Sequence, residues 1–238
     1  MDDGPCYKRV LLKLSGEALK GDHPFGISEE IINEICAEIK QIHDLGVQIA
    51  IVAGGGNFFR GLRSNNFGIT RVSADYMGML ATVMNGVALR DVLEKQGLSA
   101  RLVSALEIRA VAEPFIQRRA IHHLEKERIV IFSSGTGNPF FTTDTAAALR
   151  AIEIKADVLL KATLVEGVYS DDPKVVKDTV KYDHISYKEV LHRELKILDS
   201  TAVALCMENK LPIKIFNITK KGNILKVITD KSIGTSIH

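Results

Sequence analysis

The chain is poor in cysteine: Cys6, Cys36 and Cys206 are the only three in 238 residues, far apart and without a CxxC spacing. That argues against a disulfide framework or a thiolate metal site and fits a reducing compartment. Long apolar runs are missing as well. Nothing approaches the roughly 18 apolar residues of a membrane span. The run from Val10 to Leu14 is too short for a secretory signal and is broken by Lys13. Charge of one sign is not in excess, since 31 basic against 29 acidic residues leave +2. This balance gives no electrostatic ground for nucleic acid or an anionic membrane as partner, so any anion must be held by a local site. The chain also lacks GxxxxGK[ST], a GxGxxG loop after a strand, the protein-kinase signature set, internal repeats and an evident linker. We expect a cytoplasmic protein, in which the sequon Asn217-Ile218-Thr219 carries no meaning.

What is present is ordinary globular material, 46% apolar and 25% charged, enough for a full core without cross-links. Apolar runs and helical periodicities alternate. Residues Lys8 to Leu14, Val47 to Val52, Arg101 to Val103, Ile129 to Phe132, Val158 to Lys161 and Leu211 to Phe216 have strand character. Between them, Ser28 caps a helix carrying Ile31, Ile35, Ile39 and Ile42, which Gly46 ends. Ser73 to Glu94 is a long helix with Met77, Leu80, Met84 and Val87 on one face, expected to pack in the core. Phe115 to Lys126 is a helix bearing His122-His123, expected as a surface pair without metal. Ser186 and Glu189 form a capping box, Asp199 and Ser200 cap a further helix, and residues 222 to 229 form the last. The alternation predicts an α/β fold, a three-layer α/β/α sandwich with a mainly parallel central sheet.

Ligands of such sheets bind at the carboxyl ends of the strands. Four strand ends here carry unusual loops: Ser15-Gly16, Gly54 to Gly56, Gly135 to Thr143, and Thr163 to Asp172. Gly135 to Asp144 (GTGNPFFTTD) links a buried strand to a helix start, where backbone N–H groups and the helix dipole can hold an anion. Equally, Thr142, Thr143 or Asp144 could be no more than an N-cap. Three successive glycines let a backbone lie close to something, either a phosphate or a packed helix. Lys13, an ammonium in an apolar strand, is expensive without a charged partner, so it either serves a ligand or snorkels from the strand end. Asp75 is open between a dipole-favoured acid and a ligand contact.

Lys13 to Ala18 (KLSGEA), Gly54 to Gly61 (GGGNFFRG), Met77 to Asn85 (MGMLATVMN) and Gly135 to Asp144 together resemble the bacterial uridylate kinases. These are the UMP-specific branch of the amino acid kinase family. The similarity runs from about Tyr7 to the C-terminus, as one domain over 1–238. The resemblance implies transfer of the γ-phosphoryl group of ATP to UMP, in pyrimidine nucleotide biosynthesis. Further implications are Mg²⁺ held mainly by the ATP phosphates, a homohexamer, activation by GTP and inhibition by UTP. It assigns Lys13, Leu14, Ser15, Gly16, Gly56, Arg60, Thr163, Tyr169 and Asp172 to ATP. Gly55, Asp75, Thr136, Gly137, Asn138, Pro139, Phe140, Phe141, Thr142 and Thr143 go to UMP. Gly21, Asp22, His23, Pro24, Phe25 and Gly26 match the segment tied to GTP. The N-terminal part would then carry the UMP site and oligomer contacts, and the part from about 160 the ATP site. One departure is Glu166-Gly167, where the family usually has Asp-Gly.

The chemistry needs no protein base, because a phosphate monoester with a second pKa of about 6 is already mostly dianionic at neutral pH. Catalysis is then positioning and charge neutralisation. Lys13 and Arg60 are expected on the transferring group, Asp144 as the residue orienting Lys13, and Lys161 as a second cation. Two other classes stay open: a sister kinase acting on a carboxylate or carbamate, and a non-catalytic nucleotide-binding or metal-oxyanion storage protein.

Overall fold

The first apolar run becomes strand β1 (Arg9–Leu14), in the interior of a nine-stranded sheet. The computed structural model describes residues 4–59, 68–171, 176, 178–195 and 197–238, so Arg60 and Asp172 lie outside the described residues. After β1 come α1 (Gly16–Leu19), α2 (Glu29–Asp44), β2 (Gln48–Ala53), α3 (Arg71–Lys95), β3 (Ala100–Ser104), β4 (Glu113–Pro114), α4 (Gln117–Glu125) and β5 (Ile129–Ser133). The chain continues through α5 (Thr143–Glu153), β6 (Val158–Thr163), β7 (Val168–Tyr169), β8 (Lys181–Tyr182), β9 (His184–Ile185) and α6 (Tyr187–His192). It ends with α7 (Ser200–Glu208), β10 (Ile213–Asn217), α8 (Asn223–Thr229) and β11 (Thr235–Ile237).

The sheet order is β4-β3-β5-β2-β1-β6-β10-β11-β9. Neighbouring strands are parallel except β10 with β11. Helices on both faces bury most of the central strands, which is why these read as continuous apolar runs. Strand alternation sorts the two faces. Val10, Leu12 and Leu14 of β1 join the core under α2, α3 and α8, whereas Leu11 joins the one under α4, α5, α6 and α7. Lys13 shares the face of Leu11, and Lys161 that of Leu159. Local signals hold where expected: Ser28 Oγ accepts from Ile31 N at 3.4 Å, and Gly46 ends α2 at φ +81°.

Two expectations are corrected. The Met77, Leu80 and Met84 face of α3 is exposed, and the helix instead buries Ala74, Met79, Thr82, Asn85, Gly86 and Leu89. The helix is apolar on more than one side, so periodicity alone could not choose the inner one. His123 is buried rather than superficial: its Nε2 lies 3.1 Å from Glu113 Oε2, and Arg128 Nη1 approaches its Nδ1 at 3.1 Å. Only His122 of the pair is exposed. Cys36 and Cys206 are buried and free, and burial pushes both thiols up to about 12. Among the described residues no helix is long and apolar enough to cross a membrane.

Candidate active site

The chain leaves β1 and β2 toward helices on one face, and leaves β5 and β6 toward helices on the other. These four strands are neighbours, in the order β5-β2-β1-β6, and all run parallel. A crevice therefore opens beyond their carboxyl ends, where a switch of this kind places ligands. The four loops singled out from the sequence follow these four strands.

Lys13 and Lys161 are register partners on adjacent strands and point to the same face. Two buried ammonium groups side by side repel unless an anion lies between them. Asp144, in the first turn of α5, is that anion. Lys161 Nζ donates to Asp144 Oδ2 at 2.6 Å, and Lys13 Nζ lies 3.0 Å from Oδ1. The Lys13 contact is a close ion pair inside the protein, as sheltered from water as that of Lys161. Burial alone would push the Asp144 carboxyl up, but the two ammonium groups together hold it below its usual range. Burial pushes Lys161 down, opposed by Asp144. The three side chains keep one positive charge in excess at the mouth of the crevice. Lys161 also donates from its ammonium to Ile197 O, which anchors that head group.

The glycines separate into two kinds. A Cβ on Gly16 would stand 2.6 Å from Gly54 O, and one on Gly55 would stand 2.7 Å from Gly78 O of α3. Close packing accounts for both. On Gly56 a Cβ would meet only the Glu17 side chain, with Oε1 at 3.5 Å and Cγ at 3.7 Å, both ordinary contacts. Among the described residues the amides of Gly55 and Gly56 make no backbone hydrogen bond. Packing thus explains Gly55 but not Gly56.

The loop from Ser134 to Phe140 is conformationally loaded. Ser134 (φ +63°) and Phe140 (φ +70°) are left-handed without being glycine, alongside Gly135 and Gly137. Such residues persist only where the surroundings hold them, and they gather at ligand sites. Phe140 N donates to Asp75 Oδ2 at 2.8 Å, and Arg71 Nε pairs with the same carboxylate at 2.9 Å. Thr142 Oγ1 caps α5, accepting from Asp144 N at 3.0 Å and Thr145 N at 3.4 Å.

One recess of about 130 Å³ brings together Gly55, Gly56, Asp75, Thr136, Phe141, Thr142 and Thr143. Gly54 lies against Thr143, with 3.4 Å from a built Cβ to Thr143 Oγ1. The triple-glycine turn and the threonine turn are therefore on one side of the molecule. Gly137, Asn138, Pro139 and Phe140 lie on the same loop without lining that recess. Leu14 is fully buried, and its carbonyl accepts from Gly54 N. Thr163 ends β6, and Tyr169 sits on the β7–β8 ribbon; neither lines the recess. The 21–26 segment is tied to the glycine loop, since Gly26 N donates to Asn57 O. A larger recess of about 540 Å³ lies elsewhere, around β3 and β4, and contains none of these residues.

Sequence reasoning gave no role to Asn57 and Asn85. Both are buried and exchange amide hydrogen bonds at 2.8 Å, while Asn85 Nδ2 holds Gly54 O at 2.7 Å and Asn57 Nδ2 holds Gly26 O at 2.8 Å. The pair locks the glycine loop to α3. Their presence inside GGGNFFRG and MGMLATVMN was the available signal. Asp199 was read only as a cap, yet it also accepts from Thr142 and Thr145.

Fold and site together define an α/β protein with a loop-lined crevice at the crossover of a parallel sheet. The chain belongs to the amino acid kinase family, whose model matches residues 8–217. It is similar to the solved UMP kinase from Bacillus anthracis, with 39% identity over 98% of this chain and 96% of that one, and a TM-score of 0.95. The UMP kinase from Ureaplasma parvum is 35% identical over 97% and 98%, with a TM-score of 0.92. The uridylate kinase from Archaeoglobus fulgidus is 29% identical over 96% and 99%, with a TM-score of 0.75.

Proposed function

We propose that the protein transfers the γ-phosphoryl group of ATP to UMP, giving ADP and UDP. The observation that carries this is the Lys13–Asp144–Lys161 triad beside the glycine and threonine loops, in a chain that resembles UMP kinases along nearly its whole length. A UMP phosphate oxygen forms the new bond to the γ-phosphorus as the bond to the β-bridging oxygen breaks and ADP departs with the electron pair. No proton need be removed from a dianionic phosphate, so the chain's task is to bring two anions together. Lys13 and Arg60 serve the transferring group, and Asp144 holds both lysines in place. Ser15, Gly16, Gly56, Thr163, Tyr169 and Asp172 serve ATP. Asp75 and residues 136–143 serve UMP, so that the acceptor belongs mainly to the N-terminal part and the donor to the part from about 160.

Among the described residues no group of three or more His, Cys, Asp or Glu could hold a metal, and the triad's one carboxylate is shared by two lysines. The donor set fits a Mg²⁺ that arrives as part of the ATP substrate, held mainly by its phosphates. Such an ion supplies charge neutralisation across the phosphates. We further propose a cytoplasmic homohexamer, activated by GTP through the 21–26 segment and inhibited by UTP.

The test is a coupled ADP-release assay with UMP, CMP, AMP and carbamate side by side. UMP should be preferred. Turnover of carbamate in its place would make the protein a sister kinase, and nucleotide binding without ADP release would make it a binding protein.

A further inference from the structure

Asp199 precedes α7 and caps it, accepting from Ala202 N at 2.7 Å. A cap uses one carboxylate oxygen, and here both are engaged. Thr145 Oγ1 donates to the pair at 3.0 and 2.9 Å, and Thr142 Oγ1 donates to Oδ2. A threonine hydroxyl has one proton and two lone pairs. The Thr142 lone pairs face Asp144 N and Thr145 N, so its proton must point to Asp199. The same short segment supplies Ile197 O, which accepts from Lys161. One stretch before α7 therefore fixes three things at once: the direction of the Thr142 hydroxyl, the first turn of α5 that carries Asp144, and the ammonium of Lys161.

We propose that Asp199 is a positioning residue for the phosphoryl acceptor, holding the threonine loop and the amino end of α5 in register with the two lysines. The proposal rests on assigning that loop to UMP. Asp199→Asn exposes the role. Asparagine caps a helix as well as aspartate does, so α7 keeps its start. The new amide, however, donates toward a Thr142 oxygen whose lone pairs are already engaged, so the α5 cap and the acceptor loop loosen together.

Wild type and Asp199→Asn are compared in two measurements, with Asp199→Ser as a second variant that also retains a capping oxygen. In steady-state kinetics the KM for UMP should rise about tenfold, as for a lost hydrogen bond to a charged group, while the KM for ATP stays within about twofold. In amide hydrogen exchange residues 144–146 should exchange faster, while 201–203 keep their protection. Ser186→Ala, which removes the cap of α6, is the comparator for a purely structural loss: it should lower Tm and leave both readouts unchanged. Wild-type KM for UMP together with wild-type exchange at 144–146 would reduce Asp199 to a cap and overturn the proposal. Failure of the UMP reading would appear separately, as wild type that releases no ADP with UMP, and the exchange measurement would still decide the role of Asp199.

Discussion

At the scale of single residues, the decisive arrangement is one carboxylate serving two buried ammonium groups. Removing it leaves both cations unpaired, a loss typically worth about 3–5 kcal/mol. Asp144→Asn should therefore destabilise the protein by about that much near neutral pH, measured as a shift in urea midpoint. The pH dependence has a definite sign. The folded carboxyl sits below its ordinary value, so its contribution is complete above the unfolded pKa of about 3.9 and fades as pH falls through the depressed folded value. The gap between wild type and variant should accordingly narrow below about pH 4. A gap that stays constant down to the acid transition would mean that Asp144 acts through packing rather than charge. Of this arrangement Lys13 was legible, because an ammonium within an apolar strand demands a partner. Asp144 was legible as a helix-start acid that could reach it. Asp199 was not, because a cap and a positioning carboxylate look the same in sequence and the Thr142 contact spans 57 positions. The Asn57–Asn85 pair was equally hidden, since its partners meet only once β2 and α3 have packed.

At the scale of elements, the long apolar strands and capped helices were legible because burial on both sheet faces leaves continuous runs. The two-residue strands β4, β7, β8 and β9 and the three-residue β11 were not, since pairing rather than pattern defines them. The glycine turn after β2 was ambiguous in sequence and divides in structure. Gly55→Ala would drive a Cβ to 2.7 Å from Gly78 O and 2.8 Å from Ala81 Cβ, both on α3. Overpacking of that kind costs about 1–3 kcal/mol, visible as a lower Tm. Gly56→Ala meets only a flexible glutamate end and should leave stability within about 0.5 kcal/mol. Its effect should fall on ATP, raising KM where a backbone must approach a phosphate. Equal losses of Tm in the two variants, or unchanged ATP kinetics in Gly56→Ala, would put both glycines down to packing.

At the scale of the whole molecule, α3 presents two unlike faces. Ala74, Asp75, Gly78, Met79 and Thr82 wall the recess. Tyr76, Leu80 and Met84, spaced one turn apart, stand exposed beside Met77, with Leu80 at 50% and Met84 at 52%. A stripe of large apolar side chains on a 25-residue helix is more than the isolated exposed apolar residues of an ordinary surface, and such patches mark contact sites. The homohexamer proposed above supplies an occupant, because identical helices can pack face to face across a two-fold axis. Leu80→Glu combined with Met84→Glu places charge on that stripe without touching the core. Sedimentation should then shift from the hexamer to smaller species while circular dichroism stays native. A variant that remains hexameric would place the subunit contact elsewhere. Because the stripe and the recess wall lie on one helix, the dissociated variant should also bind UMP less tightly than wild type. Unchanged UMP affinity in the smaller species would separate assembly from the acceptor site.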